Sequence, residues 1–293
     1  MLNVVDSHCW EEHRKILTSK ETGIAALRSF GIYTNNQAGQ PLPTHIHKDC
    51  MEIVFLLKGF QVYEVENTHF NLSGYNVFVA YPNEPHSSGN YPESICDLIW
   101  MQIDLNEALP FFGLDNETAT AVRQILRSLP RVFGADAELS SMLTSAFYAL
   151  ASKDPLSHQL GQQQLVCGLL RMKQLSQRVS LHQVEFIDNA VPYIHDNLKN
   201  PIPLEDVAAC CGLSLSRFKV KFKEETGTTP RDYINRVKIE EAKRFLKAGK
   251  SVTETALDLG FSTSNYFAVL FRKYTGQTPT QYRQGLTCPD STL

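Results

Sequence analysis

The last hundred residues of this 293-residue chain hold a repeat that few folds can satisfy. The segment "PLEDVAACCGLSLSRFKVKFKEETGTTPRDY" from Pro203 aligns with "SVTETALDLGFSTSNYFAVLFRKYTGQTPTQY" from Ser251. Leu204, Ala208, Cys211 and Gly212 match Val252, Ala256, Leu259 and Gly260 at an offset of 48. Phe218, Phe222, Gly227, Pro230 and Tyr233 match Phe267, Phe271, Gly276, Pro279 and Tyr282 at an offset of 49. Matches that keep their order and spacing mark a duplicated supersecondary unit.

Each copy reads as two helices around a tight turn. Leu204, Val207, Ala208 and Cys211 recur at helical spacing and form one buried stripe. Gly212 follows, where the chain must turn through positive φ, and Ser214 is placed to cap the next helix. Leu215, Phe218 and Phe222 face inward on that second helix. Ser216, Lys219, Val220 and Lys223 face outward, with Arg217 and Lys221 on the flanks. In the second copy the outward side carries Asn265, Ala268, Val269 and Arg272, with Ser264 and Tyr266 near the helix start. This is helix-turn-helix geometry, which lays a second helix in the DNA major groove. Between the copies "RDYINRVKIEEAKRFLKAGK" supplies a spacer helix. At about 15 residues and about 23 Å it could hold two recognition helices about one DNA turn apart.

The net charge of −3 argues against nucleic acid until its distribution is considered. Residues 201–285 hold 14 Lys and Arg against 9 Asp and Glu, whereas residues 1–200 hold 14 against 21. A basic C-terminal third on an acidic body fits a DNA-binding module joined to a different domain. The doubled pattern A-x3-G-[LF]-S, paired phenylalanines and T-G-x-T-P-x-x-Y resembles the DNA-binding domain of AraC/XylS-type bacterial transcription regulators. The resemblance covers about Glu185 to Gly285. It implies base-edge contacts at Ser216, Lys219 and Val220 and at Ser264, Asn265, Tyr266 and Val269. Arg217, Lys223 and Arg272 complete the expected DNA-binding set. Val220 departs from the polar reader usual there, although valine can touch a thymine methyl. Pro192 is a second departure, and a kink or a late helix start is expected at it.

The first half of the chain reads differently. "EIVFLLKG", "FQVYEVEN", "YNVFVAYP" and "ICDLIWMQID" are short β-rich runs between about Gly23 and Ile103, punctuated by Gly59, Asn67, Gly74 and "PNEPHSSGN". Short strands without intervening helices suggest a sandwich or barrel. Gly39, His45, His47, Glu52 and Gly59 fit G-x5-H-x-H-x4-E-x6-G, and Gly74, Pro82 and His86 form a looser partner. This pattern resembles the cupin jelly roll, which implies that His45, His47, Glu52 and His86 converge inside a barrel. The alternation of His45 and His47 puts both rings on one strand face. Three imidazoles and a carboxylate suit a divalent metal. Many AraC-type regulators instead use such a barrel to bind a small molecule, commonly a sugar, without metal. Structural histidines are a third reading, and residue type and spacing leave all three open. Tyr33, Tyr63 and Trp100 are candidate aromatic walls, with ordinary core packing as the alternative.

After the barrel, Leu139, Met142, Leu143, Ala146, Phe147 and Leu150 form one helical stripe. In the next helix Leu165, Leu169, Met172 and Leu175 compete with Val166, Leu170 and Lys173 as the buried face. The resemblance implies a dimer interface in this pair. No apolar run approaches the ~20 residues needed to span a bilayer. The N-terminus lacks the pattern of a signal peptide. Seven scattered cysteines without C-x-x-C spacing suggest reduced thiols in a cytoplasm.

The expected architecture is therefore α+β. A cupin-like β-barrel spans 1–105, a helical dimerisation segment 106–178, a linker 179–184, a tandem helix-turn-helix domain 185–285 and a tail 286–293. The expected function is sequence-specific transcription regulation, with no catalysis, in response to a small effector such as a sugar. The expected partners are double-stranded DNA, the effector, a second copy of the chain and, for an activator, RNA polymerase, with no membrane. No cofactor is required, although a divalent metal in the barrel is an option. The rival reading is a metal-dependent cupin enzyme or metal sensor carrying a DNA-binding module.

Overall fold

The computed structural model describes residues 2–36, 38–89, 91–177, 184–226 and 228–287, with the side chains of 184–188, 224–225 and 285–287 left aside. The expected linker therefore lies almost wholly outside the described residues, as do most of the tail and Cys288. The chain forms two compact units, Met1–Asn36 with Pro41–Val179, and Gln37–Gln40 with Ser180–Leu293.

The first unit begins with strands the sequence pattern had not suggested, β1 (Leu2–Asn3), β2 (Cys9–Trp10) and β3 (Arg14–Thr18). The short helix α1 (Ser19–Thr22) then leads to β4 (Leu27–Asn35) and β5 (His45–Ile46). Four strands follow: β6 (Cys50–Val65), β7 (Thr68–Ser73), β8 (Asn76–Ala80) and β9 (Cys96–Asp104). The segment after them is α2 (Asn116–Arg127), β10 (Val132–Gly134), α3 (Ala137–Leu150) and α4 (Pro155–Gln177).

The main sheet runs β10-β8-β6-β9-β4-β3-β2, and β7 pairs with the second half of β6. A separate parallel pair joins β1 to β5. Among the described residues β10 and β2 remain edge strands, so the closed barrel expected from the motif spacing is not formed. Nor does Gly59 end a strand as expected. The chain bulges between Leu56 and Lys58 and continues, and Gly59 adopts φ +85°. A Cβ there would lie 2.2 Å from the Ile95 carbonyl oxygen, so only glycine fits.

Alternation along the strands gives the sheet two buried faces. Met51, Ile53 and Phe55 of β6, Val77 and Val79 of β8, and Ile99, Met101 and Ile103 of β9 share one core with α2, α3 and α4. Their neighbours Val54, Leu56, Phe78, Ala80, Leu98 and Trp100 join Tyr63 and Leu72 on the other face. Glu52 and Gln102 have the parity of this second face. On α4 the buried set is Leu165, Leu169, Met172 and Leu175 together with Val166, while Leu170 is exposed.

The second unit is helical: α5 (Val184–Asp196), α6 (Leu204–Cys210), α7 (Leu215–Thr226), α8 (Pro230–Lys247), α9 (Val252–Asp258), α10 (Ser264–Thr275) and α11 (Pro279–Thr287). Helix α5 runs through Pro192 rather than starting late. Side-chain caps start several of these helices, as expected of Ser214 for α7, whereas Pro203 before α6 offers none. Ser214 Oγ accepts from Arg217 N, Thr229 caps α8 ahead of Pro230, Ser251 and Glu254 form a capping box, and Thr263 caps α10. The duplication extends to individual hydrogen bonds. Leu213 N donates to Ala208 O and Phe261 N to Ala256 O, both at 3.0 Å. Thr226 Oγ1 donates to Phe222 O at 2.6 Å and Thr275 Oγ1 to Phe271 O at 2.7 Å. Phe218, Phe222, Phe267 and Phe271 are fully buried and anchor the two second helices.

Candidate functional site

The four residues of the histidine motif meet on the second face of the sheet. His45 on β5 pairs with His86 through reciprocal backbone bonds of 3.0 Å, and His47 lies two residues further on. Glu52 stands on β6 between Ala80 of β8 and Gln102 of β9. One nitrogen or oxygen from each of His45, His47, Glu52 and His86 falls within 4.8 Å of every other. All four side chains are buried.

The ring orientations follow from the backbone. Nδ1 of His45 lies 2.8 Å from Pro43 O, Nδ1 of His47 lies 3.0 Å from Val4 O, and Nδ1 of His86 lies 3.0 Å from Glu84 O. A carbonyl oxygen only accepts, so each Nδ1 carries a proton; Nε2 then offers a lone pair when the ring is neutral and donates when the ring is protonated. Nε2 of His47 and Nε2 of His86 each stand 3.1 Å from an oxygen of Glu52. Burial opposes ionisation of Glu52, but hydrogen bonds from His47 and His86 outweigh it and hold the carboxyl far below the usual range. Burial likewise opposes charge on His47, and its bond to Glu52 overcomes this and raises its pKa. His45 is lowered by burial and then by the neighbouring His86.

The wall of the pocket includes residues that sequence spacing did not single out. Asp6 Oδ2 accepts from Trp100 Nε1 at 2.9 Å, Gln102 Nε2 at 3.0 Å and Ser29 Oγ at 3.0 Å. Gln102 Nε2 also reaches Glu52 Oε1 at 3.3 Å, while its buried Oε1 has no partner. Arg14 lies 5.4 Å from the ring centroid of Trp100 and 5.9 Å from that of Tyr33, within cation–π range. Asp6, Arg14, Tyr33, Trp100 and Gln102, with Tyr63, Glu93 and Leu42, help to surround a cavity of about 110 Å³. Tyr33 and Trp100 thus border a cavity while also packing in the second apolar cluster. The parity of Leu98, Trp100 and Gln102 was the available signal for Gln102, a polar residue on an otherwise apolar strand face. Nothing local marked Asp6, between β1 and β2, or Arg14 on β3.

The DNA-binding candidates lie on the outward faces of α7 and α10. Ser216, Arg217, Lys219, Val220 and Lys223 are exposed on α7, as are Asn265, Tyr266, Val269 and Arg272 on α10, and Ser264 is half-buried at the start of α10. Val220 and Val269 are 58% and 66% exposed, unusual for valine in a helix that buries its phenylalanines completely.

Residues 207–285 match the family described as a helix-turn-helix domain. An uncharacterised HTH-type transcriptional regulator from the cgkA 5′ region of Pseudoalteromonas carrageenovora is 44% identical over 98 residues, covering 33% of this chain and 58% of that protein. A solved transcriptional regulator from Chromobacterium violaceum, described as of the AraC-type DNA-binding domain-containing proteins, is 26% identical and covers 36% of this chain and 95% of that one, with a TM-score of 0.34. The chain carries an AraC-type DNA-binding domain. Similarity also extends beyond that domain. The HTH-type transcriptional activator RhaS of Klebsiella pneumoniae (strain 342) is 28% identical over 254 residues, 83% of this chain and 88% of that one. The chain is a DNA-binding transcription regulator.

Proposed function

We propose that this regulator senses a small polar effector in the pocket of its N-terminal unit and reads two DNA half-sites with α7 and α10. The observation that carries the DNA half is the doubled outward face, polar and basic over a buried phenylalanine pair. Lys219, Lys223, Arg217 and Arg272 position the helices on phosphates and guanines, and Ser216, Asn265, Tyr266, Val220 and Val269 supply further edge contacts. The test is selection of bound sequences from a random duplex library with the full chain. Recovery of a consensus that loses binding when scrambled supports the reading, and recovery of unrelated sequences refutes it.

For the effector, the aromatic walls Tyr33, Tyr63 and Trp100 and the polar groups of Arg14, Glu93 and Gln102 suit a polyhydroxylated molecule such as a sugar or related metabolite. A second reading is favoured by the donor set itself. Three Nε2 atoms turned inward by carbonyl-held Nδ1 protons, a buried carboxylate and the unpartnered Gln102 Oε1 together fit a divalent cation. His45, His47, His86 and Glu52 would hold such an ion, which when bound would act as a Lewis acid toward effector oxygens. Metal analysis of untagged protein decides between the readings. Near-stoichiometric metal that disappears in His45→Ala supports the ion, and its absence after exposure to Fe, Mn, Ni and Zn leaves a metal-free pocket. Turnover of a sugar or small acid by metal-loaded protein would restore the enzyme reading.

Helix α4 supports a homodimer. Leu156, Leu160, Cys167 and Leu170 are exposed at spacings of four, seven and three, the stripe of a helix–helix seam. Cys167 lies near the middle of α4, so two copies packed antiparallel would bring their Cys167 thiols together. Mild oxidation should then give a covalent dimer that Cys167→Ser abolishes. A monomer at micromolar concentration in sedimentation would refute the seam. As activator, a role that the name of the RhaS relative suggests, the dimer would act with RNA polymerase.

A further inference from the structure

Lys238 projects from α8 into the interior of the second unit and is only 5% exposed. Its Nζ donates to the carbonyl oxygens of Asn200 at 2.8 Å and Leu259 at 2.7 Å. Asn200 lies in the turn before α6, the first helix of the first motif. Leu259 ends α9, the first helix of the second. One ammonium thus ties together backbone groups that belong to different motifs and stand 59 residues apart in the chain.

The junction is close-packed as well as hydrogen-bonded. Gly260 turns with φ +63° against the same Asn200. A Cβ added there would come within 2.7 Å of the Asn200 carbonyl carbon and 2.9 Å of its oxygen. The Phe261 ring lies 5.6 Å from Nζ and gives the cation an aromatic neighbour. Burial lowers the pKa of Lys238 to about 8, so the charged form is held here against its hydration preference. An apolar side chain of similar length would avoid that cost but would satisfy neither carbonyl. What the lysine adds is directional: two donors aimed at two fixed acceptors.

We propose that Lys238 is a positioning residue that fixes the phase between the recognition helices α7 and α10, so that the protein accepts its two half-sites at one spacing. The proposal rests on the DNA-binding reading given above and concerns geometry, not contact with DNA.

The test uses the full chain and DNA carrying both selected half-sites, with base pairs inserted or removed between them. Each base pair turns one half-site by about 35° relative to the other, so a rigid reader should lose about tenfold or more in affinity per step. Lys238→Met should flatten the profile to within about threefold while binding to a single half-site changes less than about twofold. A folded Lys238→Met protein that keeps the steep profile overturns the proposal. If that variant does not fold, spin labels at Ser216→Cys and Asn265→Cys, with Cys167→Ser and Cys210→Ser, report the distance between the helices with Lys238 intact. One narrow distribution is expected, and a broad one overturns the proposal. Failure to select any DNA consensus would refute the DNA-binding reading and leave the distance measurement to judge the geometry.

Discussion

The two exposed valines make a prediction about the operator. Val220 and Val269 are each the sixth residue of a 12-residue recognition helix and stand 49 positions apart, the offset of the repeat. Around them the faces differ: Ser216 corresponds to Asn265, Lys219 to Ala268 and Lys223 to Arg272. On the proposed DNA-binding reading valine is the shared reader, and the thymine C5 methyl is the apolar group it can meet in the major groove. Both half-sites should therefore carry thymine at one common position while differing at the positions beside it. Replacing that thymine with uracil removes one methyl, worth about 0.8 kcal/mol when buried, or about fourfold in Kd. Replacing both should cost about 1.6 kcal/mol, or about 15-fold, if the two motifs act independently. The assay is equilibrium binding of full chain to labelled duplexes over a range of salt. The slope of log K against log salt should stay unchanged, because no phosphate contact is lost. In Val269→Ala the uracil change in the α10 half-site should cost much less than in wild type. Uracil at every thymine of the selected site without loss of affinity would refute the reasoning.

Other consequences follow from single groups. Lys223→Gln should weaken binding to all sequences alike and reduce the salt slope by about 0.9, measured in the same assay. Phe218→Ala or Phe267→Ala should destabilise the second unit by about 3–5 kcal/mol in urea titrations, since each deletes a fully buried ring. Glu52→Gln should lower retained metal by about tenfold or more in elemental analysis if the ion is present, with the fold kept by circular dichroism. The Lys238 pKa near 8 lies below the unfolded value of 10.5, so between these limits the unfolded chain binds more protons and stability rises with pH. Wild type should gain up to about 3 kcal/mol more than Lys238→Met between pH 7.5 and 10.5 in denaturant titrations, and equal gains would refute this origin.

The helical half was legible because its determinants are local. The glycines that turn and the hydroxyl caps of α7 and α10 each act within about one helical turn, and they recur in both copies. Lys238 was not legible: on α8 it reads as one more surface lysine, and only the approach of Asn200 to Gly260 makes it an interior group. Gly59 was misread for a related reason. Glycine in a β-rich run signals a turn, yet here β9 runs alongside and holds the strand together through a bulge.

The pocket was half legible, and the missing half decides its chemistry. Motif spacing located His45, His47, Glu52 and His86, because strand alternation places such residues on one face. It left three readings open, since those four side chains alone suit a metal, a sugar or a structural cluster equally well. The distinguishing groups come from distant parts of the sequence: Val4 and Asp6 on the N-terminal segment, Arg14 on β3 and Gln102 on β9. Each acts on a group the motif supplied or on its neighbour. The Val4 carbonyl fixes the His47 tautomer, while Asp6 draws in the donors of Trp100 and Gln102. Gln102 in turn leaves an oxygen without a partner beside Glu52. A buried carbonyl oxygen without a donor costs about 1–3 kcal/mol, so this oxygen is placed to meet a cation, a hydroxyl donor or a water. A metal ion and a polyol each provide such a partner, and a buried water beside a structural histidine cluster provides one as well.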